Sequence, residues 1–276
     1  MSKIEWTEKT WNPVTGCTKI SEGCQNCYAE KMTKRLQAMG QEKYQHGFDK
    51  IQIYTAAFED NFGKKPKMIF VNSMSDTFTE KLKDYYISTI LDHCSHFPQH
   101  KFQVLTKRSE RLKDFNTFYS KNIWLGVTVE LEKYKNRIDD LRQTRAKVKF
   151  LSCEPLLGDL GELDLSGINW VIVGGESGHN ARPVHPDWIR NIQKQCQEQN
   201  VPFFFKQWGE YSSAFERNKE PENASEDKYY YGKYRRLNFA GGQGFHGENL
   251  CYMQKVGKKK SGSFLDGKEY KEYPKL

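Results

Sequence analysis

No stretch of the chain approaches the roughly 18 consecutive apolar residues that a membrane-spanning helix needs, so no membrane span is expected. The start, MSKIEWTEKTWNPVTGC, lacks the apolar core of a secretory leader and the Arg/Ser-rich amphipathic pattern of a transit peptide. The expected compartment is the cytoplasm. No internal repeat is evident, and no Gly-x-x-x-x-Gly-Lys-Ser/Thr surrounds the glycines of GGESG, which argues against a P-loop. The seven cysteines are odd in number and come without a secretion signal, which argues against a disulfide framework and for thiols with chemistry or thiols that are merely buried.

What is present is a basic globular composition. Lys and Arg number 43 against 35 Asp and Glu, a formal net charge of +8. Such a balance suits a polyanionic partner, although the basic pieces, Lys64-Lys65-Pro66-Lys67 and the run from Arg142 to Lys149, are spread along the chain.

Short apolar segments recur at Met68–Val71, Phe102–Leu105, Ile123–Val127, Val148–Leu151, Asn169–Val173 and Val201–Phe205. Their continuous apolar character predicts strands buried on both faces, as in a parallel sheet covered by helices. The segments between them have helical spacing: Thr79 to about His96, Leu131 to Ala146 and Pro186 to Asn200. With a first strand near Ile4–Trp6, the alternation predicts an α/β fold, a full or partial (β/α) barrel. Composition changes after Trp208. Residues 1–208 read as the barrel, and 209–276 as a small β-rich extension packed on it, with a hairpin turn at Asp266-Gly267 and an exposed loop over Asn218–Asp227.

Cys17, Cys24 and Cys27 fall in GCTKISEGCQNC, directly before a predicted helix over Tyr28–Met39 that ends at Gly40. A helix N-terminus stabilises a thiolate, which favours a metal site on these three. No paired Cys or His follows at finger-like spacing to supply a fourth zinc ligand. Three thiolates without a fourth match an iron–sulfur cluster with one open iron; zinc and metal-free thiols stay as alternatives. Cys94, Cys153, Cys196 and Cys251 each stand alone in apparent core positions.

Just past the predicted strands stand Ser73 and Asp76, then Lys107 and Arg108, then Glu154, then Gly174, Gly175 and Glu176, and finally Lys206. Glu154, Glu176 and Lys206 follow very apolar segments, where an unpaired charge is costly, so mutual pairing is expected. These three and Lys107 are the catalytic candidates. Ser73, Asp76, Gly174, Gly175 and Arg182 are the cofactor-binding candidates, the glycines because they permit close backbone approach and Arg182 because it can fork onto an anion. His179 and His185, on either side of Arg182, read as loop residues satisfied by their neighbours.

The motifs TWNPVTGCTKISEGCQNCYAE, IFVNSMSDTF, FQVLTKRSERL, WLGVTVE, LSCEPLLG, VIVGGESGHNARP, PFFFKQWGE and VGKKKSGSFLDG together resemble the phage and bacterial three-cysteine-motif proteins of unknown function. The cysteine triad also resembles that of the radical S-adenosylmethionine (SAM) superfamily, and GCQNCYAE is similar to the corresponding piece of spore photoproduct lyases. Two features depart from the usual superfamily pattern: six residues rather than three separate Cys17 from Cys24, and Asn26 stands where an aromatic is usual. The resemblance implies a [4Fe–4S] cluster on the triad, SAM as co-substrate, an electron donor and, for a phage-encoded protein, the host cytoplasm. It implies reductive SAM cleavage and hydrogen abstraction from a substrate, with a nucleic acid or nucleotide as the candidate. A second class is a metal-stabilised module that binds nucleic acid or protein without catalysis. A third, metal-independent hydrolysis by Glu154 and Glu176 as a carboxylate pair, leaves the cysteines unexplained.

Overall fold

The structure, a computed structural model, describes residues 4–115, 119–216, 234–243 and 249–275. The expected loop at 218–227 and the tyrosines 229–231 lie outside them. The chain divides into two compact units, Met1–Thr128 with Asn136–Leu151, and Val129–Lys135 with Ser152–Leu276.

The fold is mixed α/β, with strands β1 (Lys9–Trp11), β2 (Val14–Thr15), β3 (Gln52–Ile53), β4 (Met68–Val71), β5 (Lys101–Thr106), β6 (Ile123–Thr128), β7 (Val148–Cys153), β8 (Trp170–Gly174) and β9 (Phe203–Gln207). Seven of them form one sheet in the order β1-β4-β5-β6-β7-β8-β9. β1 and β9 stand at the two ends of this order.

In the first unit β1, β4, β5 and β6 run parallel, with Lys9 opposite Ile69 and Phe102 opposite Ile123. Every residue of β6 is buried, as a strand covered on both faces requires. Gly126 within it leaves room for Phe150, whose ring would lie 2.4 Å from a Cβ there. The helices of this unit are α1 (Tyr28–Ala38), α2 (Asp84–Ser95), α3 (Ser109–Asp114) and α4 (Asn136–Arg142). In the second unit β8 and β9 are parallel and fully buried, and α5 (Pro186–Glu198) buries Trp188, Ile189, Ile192 and Cys196. Pro186 opens α5, where its missing N–H costs nothing.

Three expectations are corrected. The first sheet strand is Lys9–Trp11, not Ile4–Trp6, because Trp11 and its neighbours pair with β4 while Trp6 is buried from a turn. Helix α2 begins at Asp84, since residues from Asn72 to Leu82 form turns that carry polar groups. The segment from Leu131 divides into a 3-10 turn, Glu132–Tyr134, and the short α4.

Toward the C-terminus β10 (Tyr211–Glu216), β11 (Tyr234–Asn238) and β12 (Leu250–Lys255) form an antiparallel sheet in the order β10-β12-β11. The expected hairpin joins β13 (Phe264–Leu265) to β14 (Lys268–Glu269). Asp266 and Gly267 both take positive φ, 51° and 77°, which Asp-Gly tolerates at little cost. Among the described residues no helix is long and apolar enough to cross a membrane.

Candidate metal centre

The cysteine loop belongs to the first unit. Its entry is rigid: Gly16 has φ +88°, and a Cβ there would lie 2.1 Å from the Lys50 carbonyl oxygen. Gly16 N–H donates to Met74, Ser75 Oγ donates to the Gly16 carbonyl, and Cys17 N–H donates to Phe48 at 2.7 Å. Cys17 therefore leaves the antiparallel pair of β2 and β3 at a defined point. A single 3-10 turn, Glu22–Cys24, brings the chain round, with Cys24 N–H bonded to Ser21. Cys27 is the N-cap of α1.

All three thiols are partly buried and free. Burial, then the Asp76 carboxylate, pushes Cys17 up to about 12, while Arg108 acts in the opposite sense. Burial also raises Cys27, against the backbone N–H groups of Glu30 and Ala29 and the charge of Lys107. Each of these two thiols feels Cys24. Buried thiols with raised pKa values are inert unless a cation or metal stabilises the thiolate. Among the described residues no group of three or more His, Cys, Asp or Glu is arranged to hold a metal ion.

The loop after β4 stands beside this one. Asn72, with φ 57°, turns the chain and accepts from Val14 N–H while donating to Thr77. Ser73 Oγ donates to Asn12 Oδ1, and the Ser73 carbonyl accepts the Tyr28 hydroxyl. The Asp76 carboxylate is buried and accepts from four donors: Phe78 N–H, Thr106 Oγ1, Lys107 N–H and Arg108 Nη1. The structure thus brings Ser73, Asp76 and Lys107 to the cysteine segment. Thr106, which stands just past a predicted strand, completes the network together with Thr18 and Glu80, and nothing in the spacing of Thr18 and Glu80 singles those two out.

The remaining candidates belong to the second unit. Lys206 Nζ pairs with Glu154 Oε1. The Glu176 carboxylate takes Arg182 in a fork, Nε to Oε2 at 2.8 Å and Nη2 to Oε1 at 2.6 Å, and also accepts Arg182 N–H. Of the three charges expected to pair with one another, Glu154 and Lys206 do so, whereas Glu176 is met by Arg182 instead. Gly175 is needed for close approach, since a Cβ would lie 2.0 Å from the Trp208 carbonyl oxygen, whereas one on Gly174 would reach Glu154 at an ordinary 3.4 Å. His185 caps α5 by accepting Asp187 N–H, and His179 bonds Asn180. Cys94, Cys153, Cys196 and Cys251 are buried, and burial raises Cys94, Cys153 and Cys196.

Compared with known proteins, residues 1–274 match the family described as Protein of unknown function (DUF5131). The chain belongs to this family. No curated protein and no solved structure matches this DUF5131 member.

Proposed function

We propose that this DUF5131 protein is a radical-SAM-like iron–sulfur enzyme on a partial (β/α) barrel, with Cys17, Cys24 and Cys27 as cluster ligands. The observation that carries the reading is three free, partly buried thiols on one loop, one of them the N-cap of α1. Burial raises Cys17 and Cys27 on balance, and Arg108 and Lys107 respectively act against that rise, so a bound cation or cluster is what would hold these thiols as thiolates. This donor set fits a cluster better than a single ion. A structural zinc site takes four protein ligands, and no paired Cys or His follows the triad at finger-like spacing to supply the fourth. A cluster ligates each thiolate through a different iron.

A bound cluster with SAM would supply reductive cleavage and hydrogen abstraction. The chain's own part is to hold and orient. Ser73 and Asp76 are proposed to border the cofactor, with Asp76 fixing the loop through its four donors. Lys107 offsets negative charge at Cys27. Glu154, Glu176 and Lys206, together with Gly174, Gly175 and Arg182, form a second polar region whose charges are matched. An anionic substrate of the nucleotide or nucleic-acid class is supported by the formal net charge of +8.

The test is anaerobic reconstitution with iron and sulfide, metal analysis, and EPR of the reduced protein before and after SAM. A four-iron signal perturbed by SAM, and lost in Cys24→Ala, is expected. Zinc, or no metal after reconstitution, overturns the reading and leaves the nucleic-acid-binding alternative, which salt-dependent binding would report.

A further inference from the structure

Arg108 stands two residues past the end of β5, and its side chain is only 3% exposed. Its guanidinium meets partners in three directions. Nε donates to both oxygens of Glu80, at 3.0 and 2.9 Å. Nη1 donates to Asp76 at 3.0 Å and approaches Cys17 Sγ at 3.8 Å. Nη2 donates to the Thr18 carbonyl at 3.1 Å and to Thr18 Oγ1 at 2.7 Å. The backbone is fixed as well, since Arg108 N–H donates to Thr106 Oγ1, which itself donates to Asp76. A lysine has one compact charge and cannot reproduce this planar fork.

We propose that Arg108 is a positioning residue for the cluster: it anchors the Cys17–Thr18 arm and raises the cluster's reduction potential by donating toward the Cys17 sulfur. The inference rests on the iron–sulfur reading above. Reduction adds negative charge, so a nearby cation and an N–H aimed at a ligating sulfur stabilise the reduced form more than the oxidised one. The two carboxylates oppose this effect, and at Cys17 the Asp76 charge acts more strongly than that of Arg108, so the midpoint is expected to fall when Arg108 alone is replaced and both carboxylates stay. Glu80 is 61% exposed and therefore screened by water, and the Asp76 charge is divided among four donors. Only Arg108 of the three reaches the sulfur.

The experiment compares wild type with Arg108→Lys and Arg108→Gln. In reconstituted protein, an EPR-monitored redox titration should give unchanged iron content and a more negative midpoint, with the larger shift in Arg108→Gln. A tenfold change in the reduction equilibrium, 59 mV for one electron, is the expected size. Full iron with an unchanged midpoint in both variants overturns the tuning role. The anchor is read separately in cluster-free protein, by the rate of tryptic cleavage after Lys19. Faster cleavage in the variants is expected, and equal rates overturn the anchor even where Arg108→Gln fails to load. A wild type that takes up no iron and sulfide overturns the cluster reading and the tuning role with it, while the Lys19 cleavage rates still decide the anchor.

Discussion

The Tyr28 hydroxyl donates to the Ser73 carbonyl at 2.5 Å, joining the first residue of α1 to the loop that follows β4. Those two segments are 45 positions apart in sequence, and the bond ties the helix behind the third cysteine to a strand end of the sheet. Tyr28 is half exposed, so its contribution is modest. Tyr28→Phe should cost about 1 kcal/mol in urea unfolding and increase amide exchange at the start of α1.

Gly16 admits no side chain. Gly16→Ala combines strain at positive φ, about 1–2 kcal/mol, with a Cβ driven onto the Lys50 carbonyl at 2.1 Å. A total loss of about 3 kcal/mol is expected, adding about 1–3 kcal/mol for overpacking to the strain. Denaturant unfolding measures it, and a variant as stable as wild type would contradict the geometry.

Glu154 and Lys206 have side chains only 18% and 11% exposed. Removing one partner leaves the other charge nearly buried, which costs about 3–5 kcal/mol. Lys206→Met should lose that amount, and Lys206→Met combined with Glu154→Gln should recover part of it. A double-mutant cycle checks the coupling.

Stability should fall as pH drops below 6.5. His93 and His100 sit among Trp11, Phe58, Phe62, Phe97 and Phe102, and burial lowers both below the ordinary 6.5. The charges felt there are mixed: Asp60 and Asp92 favour protonation of His93 while His96 opposes it, and Lys9 and Lys67 oppose that of His100 while Asp60 favours it. Below 6.5 the unfolded chain binds protons that the folded one refuses, so unfolding is favoured, by at most about 1.4 kcal/mol per pH unit for each group. Urea midpoints at pH 7.5 and 5.5 measure the slope, and His100→Gln should flatten it.

Thiol counting separates the two classes of cysteine. Metal-free native protein should expose only Cys17, Cys24 and Cys27 to a thiol reagent, with Cys17 slowed by its raised pKa. Unfolded protein should expose all seven. Rapid native reaction of Cys94 or Cys196 would contradict the buried placement.

Much was legible from residue patterns because it depends on near neighbours. Met68–Val71 is strand as read, Asp266-Gly267 makes the hairpin, and α1 starts directly behind Cys27. Continuous apolar runs specify buried strands wherever they occur, and Asp-Gly tolerates positive φ without outside help. Tertiary structure decided what depends on distant partners. Whether Trp6 or Trp11 belongs to the sheet turned on which backbone meets β4. That Glu176 takes Arg182, that Glu154 takes Lys206, and that Arg108 reaches both Asp76 and Cys17 are outcomes of packing. A charge next to an apolar strand must find an opposite charge, and the sequence by itself determined that need. Only the folded chain, by placing particular groups within hydrogen-bonding reach, decided which partner meets it.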